Sequence, residues 1–148
     1  MIEYYDIVYG NQSGDESKSK IVNELLKYNN YTHCIRWGGG PNAGHAVYKD
    51  NKRIVLHSIP TGILHDSIKS IIGYGCVLDP TKFFQEIEYL KQFGVDVKGK
   101  LFIDKNCHII TEKHLKEDSN GSIIGSTKCG ISQAYRDKYA RIGIRAKE

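Results

Sequence analysis

No apolar run in this sequence is longer than a handful of residues, so nothing in it reads as a bilayer-spanning segment. The opening MIEYYDIVYG has acidic residues where a signal peptide carries basic ones, and it lacks the long apolar centre, so a cytosolic setting is expected. Cysteine pairing is also missing. Cys34, Cys76, Cys107 and Cys129 stand far apart, with no CxxC and no Cys/His spacing of the zinc kind, and they read as buried reduced thiols. Charge of one sign is not concentrated either: 21 Lys plus Arg against 17 Asp plus Glu leave +4, spread along the chain. That mild excess suits an anionic small molecule as well as nucleic acid and decides little, while its small size and the lack of an aromatic stacking pattern argue against a nucleic-acid-binding module. What is present is a globular composition, 40% apolar and 26% charged in 148 residues, enough for one domain over residues 1–148.

Periodicity outlines the elements. Tyr4 to Tyr9 reads as a first strand ending at Gly10, followed by a small polar loop to Ser17. Ile21, Val22, Leu25 and Leu26 recur at helical spacing from Lys18. Thr32 to Trp37 reads as a buried strand stopped by Gly38 to Gly40, and His45 to Tyr48 with Arg53 to Ile59 flank a polar turn as a hairpin does. Ser67 to Ile72 is a further strand closed by GYG. Asp79 and Pro80 form an N-cap and first helical residue for a helix that Gly94 ends. Leu101 to Ile103 and His108 to Ile110 read as short strands, Lys113 to Ser126 as a mobile loop, and Ser132 to about Arg141 as a last helix. Alternating strands and helices predict an α/β fold, mostly a parallel sheet, with a modified phosphate-binding loop after the first strand, a β-hairpin and a mobile loop.

Two glycine-rich segments carry the chemistry. In GNQSGDESKSK (Gly10 to Lys20), a glycine-punctuated turn before a helix aims backbone N–H groups and the helix dipole at an anion, and Lys18 adds a point charge. The GxxxxGK[ST] pattern is not met, so an ordinary polar turn is the competing reading. In GGGPNAGH (Gly38 to His45), the glycines admit close backbone approach, with Asn42 and His45 beside them; a flexible turn with a plain histidine is the alternative.

Taken in order, GDExKxK, NAGH, LHxxPxGIL (Leu56 to Leu64), IGxG with VLDP (Ile72 to Pro80), GVDVKGKLFI, IGST (Ile124 to Thr127) and AYRDKYARIGIR (Ala134 to Arg145) resemble the N-terminal part of the adenylosuccinate synthetase family across essentially the whole chain. The resemblance implies GTP-dependent ligation of IMP and L-aspartate with Mg²⁺. It implies Asp15 as the base at N1 of IMP and a Mg²⁺ ligand, His45 as the partner acid, and the Gly44 carbonyl as a second Mg²⁺ ligand. Gly14, Glu16, Ser17 and Lys18 would line the phosphate loop, Asn42 and Ala43 the IMP side, and Thr127 the IMP phosphate. Arg141 would reach a neighbouring subunit's IMP, which implies a homodimer.

The chain departs from the family at several places. Serines stand at Ser17 and Ser19 where the family has glycine, Ser13 replaces a tryptophan, and TTGRGIGPAY reads STKCGISQAY with changes at Lys128, Cys129 and Gln133. A serine at a position needing positive φ costs on the order of 1 kcal/mol. The family's guanine-recognition residues, aspartate loop and an assisting glutamine belong to its later part. The chain is therefore expected to be a fragment, a half that assembles with a separate C-terminal chain, or a degenerate relative. Two rival readings are a non-catalytic purine-nucleotide binder and the phage-type synthetase that joins aspartate to dGMP using ATP; the latter often has serine at the position of Asp15.

Overall fold

The computed structural model describes residues 4–12, 14, 16–120 and 125–148. Helix α1 spans Lys18–Tyr28, strand β1 His33–Gly39, and the hairpin β2 (His45–Lys49) and β3 (Lys52–Leu56) follows. A 3-10 turn at Thr61–Leu64 leads to β4 (Lys69–Leu78), α2 (Pro80–Lys91), β5 (Leu101–Ile103), β6 (His108–Ile109), α3 (Glu112–Ser119) and α4 (Ile131–Tyr139). β4 pairs in parallel with β1, β5 and β6. The hairpin forms its own antiparallel pair.

Local chemistry explains most of these elements. The hairpin turns on Asp50 and Asn51, both at positive φ (49° and 60°), the geometry of the two-residue turn whose twist matches its strands. Asp79 caps α2, its Oδ1 accepting from the Thr81 and Lys82 N–H groups at 3.0 and 3.2 Å, with Pro80 at the first helical position. Gly94, at φ 69°, closes the same helix, and the Val95 N–H returns to the Leu90 carbonyl. The main core joins Val47, Ile54 and Leu56 of the hairpin to Ile72 and Leu78 of β4 and Phe83 and Leu90 of α2. Each such side chain contributes about 1.5–3 kcal/mol on burial.

Three expectations need correction. Tyr4 to Tyr9 is not a strand: no ladder partner lies beside it among the described residues, and Tyr5, Ile7 and Tyr9 are exposed. Instead the Tyr31 hydroxyl donates to Asp6, and the Tyr4 and Tyr31 rings lie 5.6 Å apart, so side chains alone hold the segment beside the start of β1. The loop before α1 thus follows irregular backbone.

The first half of the supposed mobile loop Lys113 to Ser126 is helix α3. Its charges fall four apart, pairing Lys113 with Glu117 and Lys116 with Glu112, and Thr111 and His114 form a reciprocal cap at its start. Residues 121–124 of that segment lie outside the described residues.

Finally, GYG does not close β4, which continues to Leu78. Gly75 is needed there for proximity: a Cβ on it would stand 2.0 Å from the Trp37 carbonyl oxygen, where the register between β1 and β4 shifts.

Candidate functional site

The segment before α1 has the local physics of an anion site. Gly14 adopts φ 142°, open only to glycine, and Ser17 adopts φ 57°, ψ 26° as the N-cap of α1 with no side-chain cap. Ser19, by contrast, is an ordinary helical residue, so of the two glycine-to-serine departures only Ser17 meets backbone strain. α1 opens on Lys18 with no acidic residue in its first turn, which concentrates positive potential where the helix dipole is already positive. The chain answers with its own anion: Glu16 pairs with the Lys18 ammonium, and its Oε1 accepts the Gln12 N–H at 2.6 Å. The Lys18 pair, then the Gln12 bond, hold the Glu16 carboxyl below its ordinary range. Asp15 lies outside the described residues, so its expected pairing with His45 across one cleft has no geometry to report.

The glycine segment after β1 is anchored by a residue the sequence did not single out. Arg36 donates through Nη2 to the Gly40 carbonyl at 2.9 Å and through Nη1 to the His57 carbonyl, tying the turn to the end of the hairpin. Its lone charge inside a strand that the sequence reads as buried was the available signal, although Ile35 and Trp37 leave that strand half exposed. On the other side of the turn the Gly39 N–H donates to the Tyr135 hydroxyl of α4 at 2.9 Å, and Gly40 packs against Ile131 and Val77. Asn42, Ala43 and Gly44 are exposed at the tip.

His45 follows, half-buried at the start of β2. Burial first, then the charges of Arg36, His57 and Lys18, lower its pKa to about 4. The imidazole is therefore neutral near pH 7, a single N–H donor rather than an imidazolium acid. The packing of α1 against β2 is the structural link between the two glycine segments.

A second unforeseen residue is Glu86 of α2, buried, whose carboxylate accepts from the N–H groups of His57, Ser58 and Ile59 at 2.7, 2.8 and 3.2 Å. Nothing in the α2 sequence separates it from a solvated helical charge. Buried Asp118 of α3 plays a similar part before α4, accepting from the Ser126 hydroxyl (2.6 Å), the Gly130 N–H (2.8 Å) and Gln133 (3.3 Å). These bonds shape the turn that carries exposed Thr127. Arg141 sits at the opposite end of α4, exposed and at φ 62°. The nine-residue helix α4, about 13 Å long, lies between it and Thr127 in the chain.

Among the described residues no three His, Cys, Asp or Glu side chains gather as a metal cluster, and no helix is long and apolar enough to cross a membrane. Ile35, Ile71 and Phe102 form a cross-strand row, with Ile35 60% and Phe102 44% exposed among the described residues, and the exposed Trp37 and Tyr74 lie beside Tyr135 and Lys138 of α4.

A parallel sheet carrying helices, with glycine turns at strand ends and a cationic helix N-terminus, defines an α/β protein of the open-sheet class. The sequence matches the adenylosuccinate synthetase family over residues 7–148. It is 45% identical over 145 residues to the adenylosuccinate synthetase of Chlorobium limicola, covering 94% of this chain and 33% of that one. The fold matches fully ligated adenylosuccinate synthetase from Plasmodium falciparum with a TM-score of 0.76 and 35% identity, over 90% of this chain and 32% of that one. It also matches the succinoaminodeoxyadenylate synthetase of cyanophage S-2L, bound to dGMP and dATP, with a TM-score of 0.69 and 25% identity, over 86% of this chain and 36% of that one. The chain belongs to the adenylosuccinate synthetase family. It spans about a third of the length of the relatives it matches.

Proposed function

We propose that this chain is the phosphate-handling part of a GTP-dependent ligase that joins IMP to L-aspartate to give adenylosuccinate. The observation that supports the reading most is the packing of α1 against β2, which brings the loop before α1 toward the turn before β2. Gly14, Ser17 and Lys18 hold phosphate oxygens through N–H groups, the helix N-terminus and the ammonium, and Glu16 gives up its contact with Lys18 when they do. His45, neutral, donates its N–H to the transferring phosphoryl group, and the arriving anion raises its pKa. Asp15 removes the proton at N1 of IMP, Asn42 and Ala43 border the purine nucleotide, and Thr127 binds its phosphate.

Mg²⁺ takes few protein oxygens and keeps several waters, so the Asp15 carboxylate and the Gly44 carbonyl of the exposed turn suit it without a larger acidic cluster. When bound, the ion neutralises phosphate charge.

The partly exposed row of Ile35, Ile71 and Phe102 supports a further element of this reading. Parallel sheets are covered on both faces, so the Ile35, Ile71 and Phe102 row is where the remaining part of the family architecture packs, whether continuous with this chain or supplied as a separate one. Arg141 serves a neighbouring subunit's IMP in a homodimer, consistent with its exposed place beyond the end of α4. A cytoplasmic setting fits the four free, buried thiols.

Calorimetric titration of the chain with IMP and with GTP, each with Mg²⁺, tests the proposal: heat with at least one is expected, and none with either overturns it. The likeness to the phage enzyme makes dGMP and ATP the second pair to titrate, and preference for them replaces the substrates named here. In an assembly that turns over, Asp15→Asn abolishes product formation while IMP binding persists; retained turnover removes Asp15 as the base.

A further inference from the structure

Cys129 stands apart from the other cysteines. Burial pushes the Cys34 and Cys76 thiols up and Cys107 up to about 12, which keeps them protonated. The Cys76 and Cys107 thiols donate to backbone carbonyls, Cys76 to Arg36 at 3.2 Å and Cys107 to Cys76 at 3.5 Å. Cys129, 8% exposed just before α4, instead receives the Lys82 ammonium, with Nζ 3.1 Å from Sγ. Its own S–H points to the Thr127 carbonyl at 3.3 Å. Lys82 is half-buried in the first turn of α2 and makes no ion pair with a carboxylate among the described residues. The Lys82 nitrogen and the Cys129 sulfur are thus held in contact between two elements.

We propose that Cys129 and Lys82 are a modification site, closing a covalent sulfur–nitrogen cross-link when the protein meets hydrogen peroxide. In its thiolate form the sulfur attacks one peroxide oxygen and the O–O bond breaks, giving the sulfenic acid and hydroxide. The Lys82 ammonium supplies the proton that turns this hydroxide into water and becomes the free amine. The amine nitrogen then attacks sulfur, the S–N bond forms, the S–O bond breaks, and the departing hydroxide takes a proton from nitrogen as a second water. Sulfur is oxidised and one peroxide is reduced. Thiol reductant reverses the link by attack on sulfur. Closed, it fastens the first turn of α2 to the turn bearing Thr127, a constraint independent of any nucleotide.

The test is peroxide treatment of the full chain, proteolysis and mass spectrometry. The expected product joins the Lys82 and Cys129 peptides with two hydrogens fewer than their sum, and dithiothreitol separates them again. Lys82→Arg keeps the cation but not the nucleophilic amine, so Cys129 there stops at sulfenic acid, trapped by dimedone. Wild-type Cys129 found as sulfenic or sulfinic acid unjoined to Lys82, or left as thiol while the other three cysteines oxidise, overturns the proposal.

Discussion

At Ser17 a hydroxymethyl group occupies a left-handed backbone position that favours glycine, and the conformation persists because α1 begins there. Ser17→Gly is expected to raise stability by about 1 kcal/mol in urea unfolding, since the Cβ penalty of the left-handed region disappears. An unchanged midpoint would mean that the serine suffers no strain.

His45 supplies the pH dependence. Its folded pKa, about 4, lies below the unfolded value, so between these values the unfolded chain binds more protons. Its contribution is therefore flat above about 6.5 and falls as pH drops toward 4. Arg36, His57 and Lys18, the charges facing it, all oppose its protonation. Histidine resonances in NMR check this directly, and inorganic phosphate is expected to move the His45 titration upward.

Among the elements, α2 does more than fill the core. Glu86 holds three consecutive N–H groups of the segment leaving the hairpin, and this segment also receives Arg36. Glu86→Ala leaves buried donors unpartnered and is expected to cost about 3 kcal/mol in urea unfolding. The amides of His57, Ser58 and Ile59 should then exchange faster, and unchanged protection there would contradict the assignment.

The elements also divide by how local their causes are. α1, α2 and the hairpin were readable because periodicity, an Asp-Pro start and a two-residue polar turn act within a few residues. Tyr4 to Tyr9 has the composition of a strand, yet a strand exists only with a partner ladder. α3 looked like loop because its polar charges conceal a helix whose stability comes from its cap, its ion pairs and the burial of His114 and Asp118.

For the whole molecule, the exposed apolar row on the sheet and the one-third coverage of its relatives bear on activity together. Ligation needs all reactants in one oriented geometry, and that positioning can reach about 7–11 kcal/mol of the barrier. The family residues for guanine and aspartate belong to the part beyond the matched third. The 148-residue chain alone is accordingly expected to form no measurable adenylosuccinate from GTP, IMP, aspartate and Mg²⁺ in an absorbance assay. Steady product formation would show that this chain suffices.

The sequence by itself determined the α/β class, the two glycine segments, the starts of α1 and α2 and the family, because turn chemistry, capping and periodicity are short-range and motif order is a property of the chain. Only the tertiary structure decided that Ser17 and not Ser19 bears the strain, that His45 is neutral, that Arg36, Glu86 and Asp118 hold the loops, and that Lys82 meets Cys129. Those facts depend on burial and on partners as far apart as β1 and α4, and desolvation and distance across a fold leave no local trace in the order of residues.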